Sequence, residues 1–182
     1  GRVYRLKAHE IPMKERTARG TAVVNLLPLQ PDEKIQAIID TRDYESNKFL
    51  FFCTKNGQVK KTKFTEYDSS LRAGIIAINL EKGDDLIEVR LTNGNNEIVL
   101  ITKQGMSIRF QEDQVRSMGR NAGGVKGIEL DKGDAVVALA LVDPESTLLV
   151  AGGNGIGKRT DFEEYRQQSR GGKGIITMKT GD

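Results

Sequence analysis

The chain has 182 residues, of which 37% are hydrophobic and 29% are charged, and its formal net charge is +3. This composition is typical of a globular protein. Because the net charge is small, binding of a polyanion would have to come from where the cations lie rather than from their total. The single cysteine, Cys53, excludes an internal disulfide, and the single histidine, His9, argues against a histidine-based metal site or a Ser/His/Asp triad within this chain. No apolar run is near the ~20 residues that a membrane helix needs.

The first unit of the chain predicts three strands. Residues 1–7 alternate between basic and apolar side chains, which is typical of a strand, and a basic loop follows over residues 8–19. Residues 20–29 are apolar and β-branched, and residues 34–40 are rich in isoleucine, so both segments are predicted as strands. The polar residues 41–48 then predict a hairpin loop that closes the unit.

The second unit opens with the apolar run Phe49–Thr54, followed by Asn56-Gly57 and an alternating basic segment. Asn-Gly suits the positive φ angles at both central positions of a two-residue hairpin, so these two residues are predicted at the hairpin tip. Further strands are predicted over residues 75–80 and 86–91.

The same order of segments recurs along the chain. The hairpin glycines Gly57, Gly105 and Gly155, together with Gly1, are separated by 56, 48 and 50 residues, and a period of this length carried by strands and turns indicates a repeat architecture. We predict an all-β fold, a β-pinwheel or propeller-like arrangement of four-stranded antiparallel blades with about four whole or partial blades present. It forms a single domain over 1–182, with repeat units at roughly 1–48, 49–96, 97–145 and 146–182.

A basic side chain lies four residues after each of these glycines, at Arg5, Lys61, Arg109 and Arg159. One interpretation is that lysine and arginine protect an exposed edge strand from pairing. The other is a basic band that runs from blade to blade around a rim, where it would meet a polyanion once per blade. Neighbouring cations and basic glycine-containing loops belong to the same hypothesis. Its candidate binding residues are Arg5, Lys7, Arg16, Arg19, Lys60, Lys61, Lys63, Arg72, Arg109, Arg116, Arg120, Lys158, Arg159, Arg170 and Lys173.

The densest of the basic loops is formed by Gln168, Arg170, Gly171, Gly172, Lys173 and Gly174, with Ser169 between the first two. Glycine allows backbone N–H groups to approach a phosphate closely, and arginine supplies forked donors for it. The same glycines also suit a linker that crosses between blades. We keep both roles for this loop.

The other conspicuous side chains are assigned to the core and to turns. Four aromatic residues share repeat positions and are predicted as core wedges rather than as stacking platforms for bases: Phe64, Tyr67, Phe162 and Tyr165. Asp84, Asp134 and Asp182 share another repeat position, which favours turn capping over metal or glycosidase chemistry. We therefore predict no catalytic residue and no metal site in this chain.

Five segments carry a resemblance to a known family: Gly1-Arg2-Val3-Tyr4, Thr17-Ala18-Arg19-Gly20, Val24-Asn25-Leu26-Leu27-Pro28-Leu29, Asn56-Gly57-Gln58-Val59-Lys60-Lys61-Thr62 and Gly155-Ile156-Gly157-Lys158-Arg159-Thr160. In this order they resemble the C-terminal domain of DNA gyrase A over essentially the whole chain. The resemblance implies a β-pinwheel that wraps duplex DNA around a positively charged edge. Residues 168–174 differ from the family's Gln-Arg-Arg-Gly-Gly-Lys-Gly box only at Ser169, although that box belongs to the first blade.

The resemblance also implies a cellular setting. The domain would be a non-catalytic part of an ATP-hydrolysing type II topoisomerase, with ATP and magnesium used elsewhere in the enzyme and no cofactor in this chain. Its partners would be double-stranded DNA, the N-terminal part of gyrase A, and gyrase B, in an A2B2 complex in the bacterial cytoplasm at the nucleoid. The chain is expected to start and stop inside blades. Two alternatives are the topoisomerase IV counterpart and a propeller-like protein-interaction module.

Overall fold

The computed structural model describes residues 1–42 and 48–180. Within them the strands are β1 (Arg2–Val3), β2 (Phe49–Thr54), β3 (Gln58–Lys63), β4 (Ile75–Ile76), β5 (Leu86–Thr92), β6 (Glu97–Thr102), β7 (Met106–Gln111), β8 (Val125–Lys126), β9 (Val136–Leu141), β10 (Thr147–Ala151), β11 (Gly157–Asp161) and β12 (Ile175–Ile176). Short 3₁₀ turns occupy Ala8–Glu10, Val23–Asn25, Phe64–Tyr67, Glu112–Gln114 and Phe162–Glu164. No helical segment in these residues could cross a membrane. The all-β prediction is confirmed.

The strands form separate antiparallel sheets, which we call blades. Blade 1 pairs β1 with β4, blade 2 has the order β5-β2-β3-β8, blade 3 has the order β9-β6-β7-β12, and blade 4 pairs β10 with β11. Strands β5 and β9 lie next to each other. The strand order therefore places β5 and β9 at the inner edges of blades 2 and 3, and places β8 and β12 at their outer edges.

Each outer strand is supplied by the repeat that follows in sequence. Val125 of β8 pairs with Val59 of β3, and Ile175 of β12 pairs with Ser107 of β7. A glycine precedes each exchanged strand because the crossing is tight: Gly124 has a φ of +106°, and a Cβ there would lie 2.6 Å from the carbonyl oxygen of Val59. A blade thus combines three strands of one repeat with one strand of the next, which the sequence repeat alone did not predict.

The hairpin tip differs from the two-residue turn that we predicted. The Gly57 N–H donates to the Thr54 carbonyl over 3.0 Å, so Lys55 and Asn56 are the central residues of the turn. Only Gly57 of this turn has a positive φ, at +81°. Glycine in this position is typical of a type I turn followed by a bulge. The prediction that Asn56 and Gly57 both adopt positive φ is therefore wrong.

Asp84 and Asp134 cap these turns, as predicted. Asp84 Oδ1 accepts from the Asn56 N–H over 2.9 Å, and Asp134 Oδ1 accepts from the Gln104 N–H over 2.9 Å. Each aspartate thus holds the hairpin of its own blade to the adjoining turn. The third member of this set, Asp182, lies outside the described residues.

Two strands predicted in the first unit are absent. Residues 20–29 contain the 3₁₀ turn Val23–Asn25, and residues 34–40 form no strand. The physical reason is that a strand needs a partner, and Ala37 and Ile39 reach the core beside blade 2 through side-chain packing without a backbone ladder. The predicted hairpin loop over residues 41–48 falls largely on residues 43–47, outside the described residues.

Apolar side chains fill the seams between consecutive blades. Because side chains alternate between the two faces of a strand, Leu50 and Phe52 enter the seam with blade 1, whereas Phe51 and Cys53 enter the seam with blade 3. Tyr67, Phe162 and Tyr165 are buried and Phe64 is half-buried against the same cores, which confirms the predicted wedges. Burial raises the pKa of the Cys53 thiol. Both faces of blades 2 and 3 are therefore interior.

Candidate nucleic-acid interface

The outer rim, which consists of β4, β8, β12 and the loops that precede them, carries exposed cations on consecutive blades. They are Arg72, Arg116, Lys126, Arg166 and Lys173. Arg72 Nη2 lies 3.8 Å from Glu10 Oε1, and Lys173 Nζ lies 3.2 Å from Asp131 Oδ1. The hydrogen bond with Asp131 raises the pKa of Lys173. Exposed pairs of this kind contribute little to stability, so a phosphate can displace the carboxylate at low cost.

Lys126 and Arg166 are rim cations that the sequence analysis missed. Lys126 occupies the second position of β8, where the equivalent residues of β4 and β12 are Ile76 and Ile176. The repeat therefore gave no basic signal at this position. Arg166 has a basic equivalent in Arg116, and comparison of these two loops would have found it.

Two predicted rim residues, Arg120 and Arg170, also fasten their loops to the preceding outer strand. The Arg120 guanidinium donates to the Ile76 carbonyl over 3.0 Å, and the Arg170 guanidinium donates to the Lys126 carbonyl over 2.5 Å. The Arg170 backbone N–H also donates to Gln114 over 2.8 Å. Both side chains are only half-buried. They stay at the rim, with part of their donor capacity already used.

Lys60, predicted as a surface cation, is fully buried. Its Nζ donates to the Ala77 carbonyl over 2.5 Å, to the Arg120 carbonyl over 2.8 Å and to the Tyr67 hydroxyl over 3.2 Å. It also lies 4.9 Å from the centre of the Phe52 ring. Burial lowers the pKa of Lys60 to about 8. The expectation that this ammonium group lies on the exposed band is wrong, because it fills the seam between blades 1 and 2.

Lys61 and Arg109 also point into seams rather than outward. Lys61 is 6% exposed, and its Nζ donates to the Glu112 carbonyl over 3.0 Å. Arg109 is paired with Glu97 and donates to the Phe162 carbonyl over 2.7 Å. Their expected place on the exposed band is also wrong, because both faces of these blades pack against a neighbouring blade.

The remaining predicted cations lie at the surface. They are Arg5, Lys7, Arg16, Arg19, Lys63, Lys158 and Arg159. Arg5 forms an exposed ion pair with Asp68. Lys63 ends β3, and Lys158 and Arg159 lie on β11. All seven are therefore exposed cations outside the rim loops.

The box-like loop over residues 168–174 has a clear structural role. The Gln168 N–H donates to the Arg109 carbonyl and the Gly171 N–H donates to the Gly127 carbonyl, each over 2.8 Å. Gly174 has a φ of +79°, and a Cβ there would lie 2.1 Å from the Ser107 carbonyl oxygen. The glycines therefore allow the chain to cross between blades, as the linker interpretation expected. Lys173 remains exposed beside them.

The acidic and thiol side chains of the described residues are, by residue type, possible metal ligands. No group of three or more His, Cys, Asp or Glu side chains in residues 1–42 and 48–180 is arranged to hold a metal ion. Cys53 is free and buried.

Comparison with known proteins identifies the family. The model of the DNA gyrase C-terminal domain, a β-propeller, matches residues 1–42, 48–93, 96–143 and 146–182. DNA gyrase A of Clostridium acetobutylicum is 50% identical over 126 residues, which is 69% of this chain and 15% of that protein. A C-terminal domain of DNA topoisomerase IV has a TM-score of 0.84 at 33% identity, over 92% of this chain and 53% of that one. A DNA gyrase A C-terminal domain has a TM-score of 0.81 at 26% identity, over 96% of this chain and 56% of that one. With its exchanged strands, repeated blades and basic rim, the chain belongs to the DNA gyrase C-terminal domain family.

Proposed function

We propose that this chain binds duplex DNA without sequence preference along its outer rim and wraps it chirally. The wrapped segment would be presented for ATP-dependent negative supercoiling by DNA gyrase. The observation that carries the proposal is the recurrence of exposed cations at the outer edge of consecutive blades, at Arg72, then Arg116 and Lys126, then Arg166 and Lys173. A curved row of cations is what a bent phosphate backbone requires.

The kind of binding follows from the side chains at the rim. Lysine and arginine contact phosphates, which position a duplex but carry no direct sequence information. Three of the four aromatic wedges are buried in the seams and are not available to stack on unpaired bases. Bending a short duplex costs on the order of 1–6 kcal/mol, and contacts on several blades would offset this cost.

The wider role is a proposal drawn from the relatives. The chain spans 15% of the length of the Clostridium protein, which is a DNA gyrase A. Strand cleavage, ATP and magnesium would then belong to other parts of the enzyme. The partners would be the N-terminal part of gyrase A, and gyrase B, in an A2B2 complex in the bacterial cytoplasm.

A second candidate is the equivalent role in topoisomerase IV. It is favoured by the TM-score of 0.84 against the topoisomerase IV C-terminal domain. Joining the chain to the N-terminal part of a gyrase A protein, and adding gyrase B and ATP, separates the two candidates. Negative supercoiling of relaxed plasmid supports the gyrase role, whereas relaxation of supercoiled plasmid without supercoiling of the relaxed one supports the topoisomerase IV role.

The test of DNA binding is a salt series with two duplexes of unrelated sequence. We expect equal affinities and a steep fall with salt, with a logarithmic slope of roughly −0.9 per phosphate contact. Replacing Arg116, Lys126 and Arg166 together with glutamine should lower the affinity for both duplexes and flatten the slope. The matched control replaces three cations away from the rim loops, Lys55, Lys82 and Lys103. No binding at physiological salt would contradict the proposal and favour the protein-interaction module.

A further inference from the structure

One sequence position links blades 1, 2 and 3 to the repeat that follows each of them. The residue four places after Gly1, Gly57 and Gly105 reaches the 3₁₀ turn of the next repeat, or the residue that ends it. Arg5 pairs with Asp68, Lys61 donates to the Glu112 carbonyl over 3.0 Å, and Arg109 donates to the carbonyls of Phe162 and Tyr165 over 2.7 and 3.1 Å. The basic repeat in the sequence is therefore a repeated contact between blades.

The backbone of the same residues joins the same seams. The Lys61 carbonyl accepts from the Met118 N–H over 2.9 Å, and the Arg109 carbonyl accepts from the Gln168 N–H over 2.8 Å. Each residue is thus held at two points of the next repeat, by its side chain at the 3₁₀ turn and by its carbonyl just after it. Two points of attachment fix an orientation as well as a distance.

The contact at Arg109 is also braced within its own blade. Its guanidinium pairs with Glu97 of β6, which lies beside β7, and the two side chains are 16% and 22% exposed. The guanidinium group is planar and presents its donors in a fixed fork. Glu97 therefore sets the direction of the fork, and the fork sets the position of the Phe162–Glu164 turn in the next repeat.

We propose that Lys61 and Arg109 are positioning residues that set the angle between consecutive blades, and so the path of DNA around the rim, rather than ligands of phosphate. The inference rests on the proposed function, since a path matters only if DNA follows it. Small rotations at successive seams add up along a wrapped duplex, so a local change at one seam alters the pitch of the whole path.

The first experiment measures blade geometry without DNA. Spin labels on Lys103→Cys and Gly153→Cys, which are equivalent positions in the hairpin turns of blades 3 and 4, report the distance across the Arg109 seam. Both positions are exposed, Gly153 has no atom within 4 Å of an added Cβ, and buried Cys53 should not be labelled. We expect Arg109→Gln to shift or broaden the distance distribution, and Arg109→Lys to restore most of it. A label pair on Lys55→Cys and Lys103→Cys, across the Lys61 seam, should not change.

The second experiment separates positioning from binding. At saturating protein, Arg109→Gln should reduce the linking-number shift of ligated circles. It should change the Kd less than about twofold and leave the salt slope unchanged, because no phosphate contact is lost. The rim variant Lys126→Gln should instead lower affinity and slope. If Arg109→Gln does not fold, Glu97→Gln replaces it in both experiments.

Three results would overturn the inference. They are an unchanged label distance in Arg109→Gln, a linking-number shift equal to that of the wild type, and a loss of affinity and salt slope that matches Lys126→Gln. If the wild-type chain shifts no linking number, the proposed wrapping fails. The label distances would then still decide whether Arg109 sets the angle between its blades.

Discussion

Lys60 gives the sharpest quantitative prediction because an ammonium group is buried with only neutral acceptors. Its three hydrogen-bond partners are the carbonyls of Ala77 and Arg120 and the hydroxyl of Tyr67. Loss of hydration disfavours the charged form, and burial lowers the pKa of Lys60 from 10.5 to about 8. The unfolded chain, with an ordinary lysine pKa, therefore binds more protons than the folded chain between these two values.

The sign of the pH dependence follows from this difference. Stability rises with pH wherever the unfolded state holds more protons, so the lysine contribution should increase from about pH 8 towards pH 10.5. A lowering of this size corresponds to about 2 to 3 kcal/mol gained between pH 7 and pH 10. Lys60→Met keeps a similar volume and removes the titrating group, so its free energy of unfolding should lack this rise.

The assay is urea unfolding at several pH values between 7 and 10, with the wild type and Lys60→Met compared at each. Subtracting the two curves removes the contributions of groups that titrate in both proteins. The matched control is Lys63→Met, because Lys63 lies on the same strand and is exposed; its difference from the wild type should stay flat. A flat difference for Lys60→Met would refute the assignment of a buried ammonium group that has no carboxylate among its hydrogen-bond partners.

Three further predictions concern the turns and the thiol. Gly124→Ala should lower the free energy of unfolding by more than about 2 kcal/mol, because the residue has a positive φ and its new Cβ would clash with the Val59 carbonyl oxygen. Gly83→Ala is the control: it has the positive φ without the clash and should cost about 1 kcal/mol. Asp134→Ala should cost about 1 kcal/mol, because it removes the acceptor of one exposed and one partly buried backbone N–H group, which water can replace in part. A loss no larger than that of Lys132→Ala would contradict the capping role. Cys53 should react with a thiol reagent only on unfolding, and rapid reaction of the native protein would contradict its burial.

The sequence predicted the repeat and the positions of the turns, although not the type of the hairpin turn, because these positions depend on local chemistry. Gly57 and its equivalents adopt positive φ, and Asp84 accepts from the N–H of its neighbour Asp85. Both features depend on nearby residues alone, whereas the bond from the Asn56 N–H to Asp84 depends on the tertiary fold. They recur at a fixed period, which is why the all-β blades could be predicted.

The positions of the basic side chains could not be predicted in the same way. Alternation along a strand normally separates an inner face from an outer one. In a stack of blades both faces are inner, so Lys60 and Lys61 are adjacent in sequence, point to opposite faces and are both buried. Exposure is found at the edges instead, where Lys126 lies on a two-residue strand. The partner of so short a strand depends on the tertiary fold.

The most direct test of the central claim is the ligation of nicked circular DNA in the presence of this chain, followed by gel analysis of topoisomers. Chiral wrapping around a basic rim predicts a linking-number shift of constant sign that grows with the protein-to-DNA ratio and disappears at high salt. It also predicts that the triple rim variant of Arg116, Lys126 and Arg166 loses the shift at a ratio where the wild type shows it. Tight, salt-sensitive binding with no shift in linking number at any ratio would contradict wrapping by this chain.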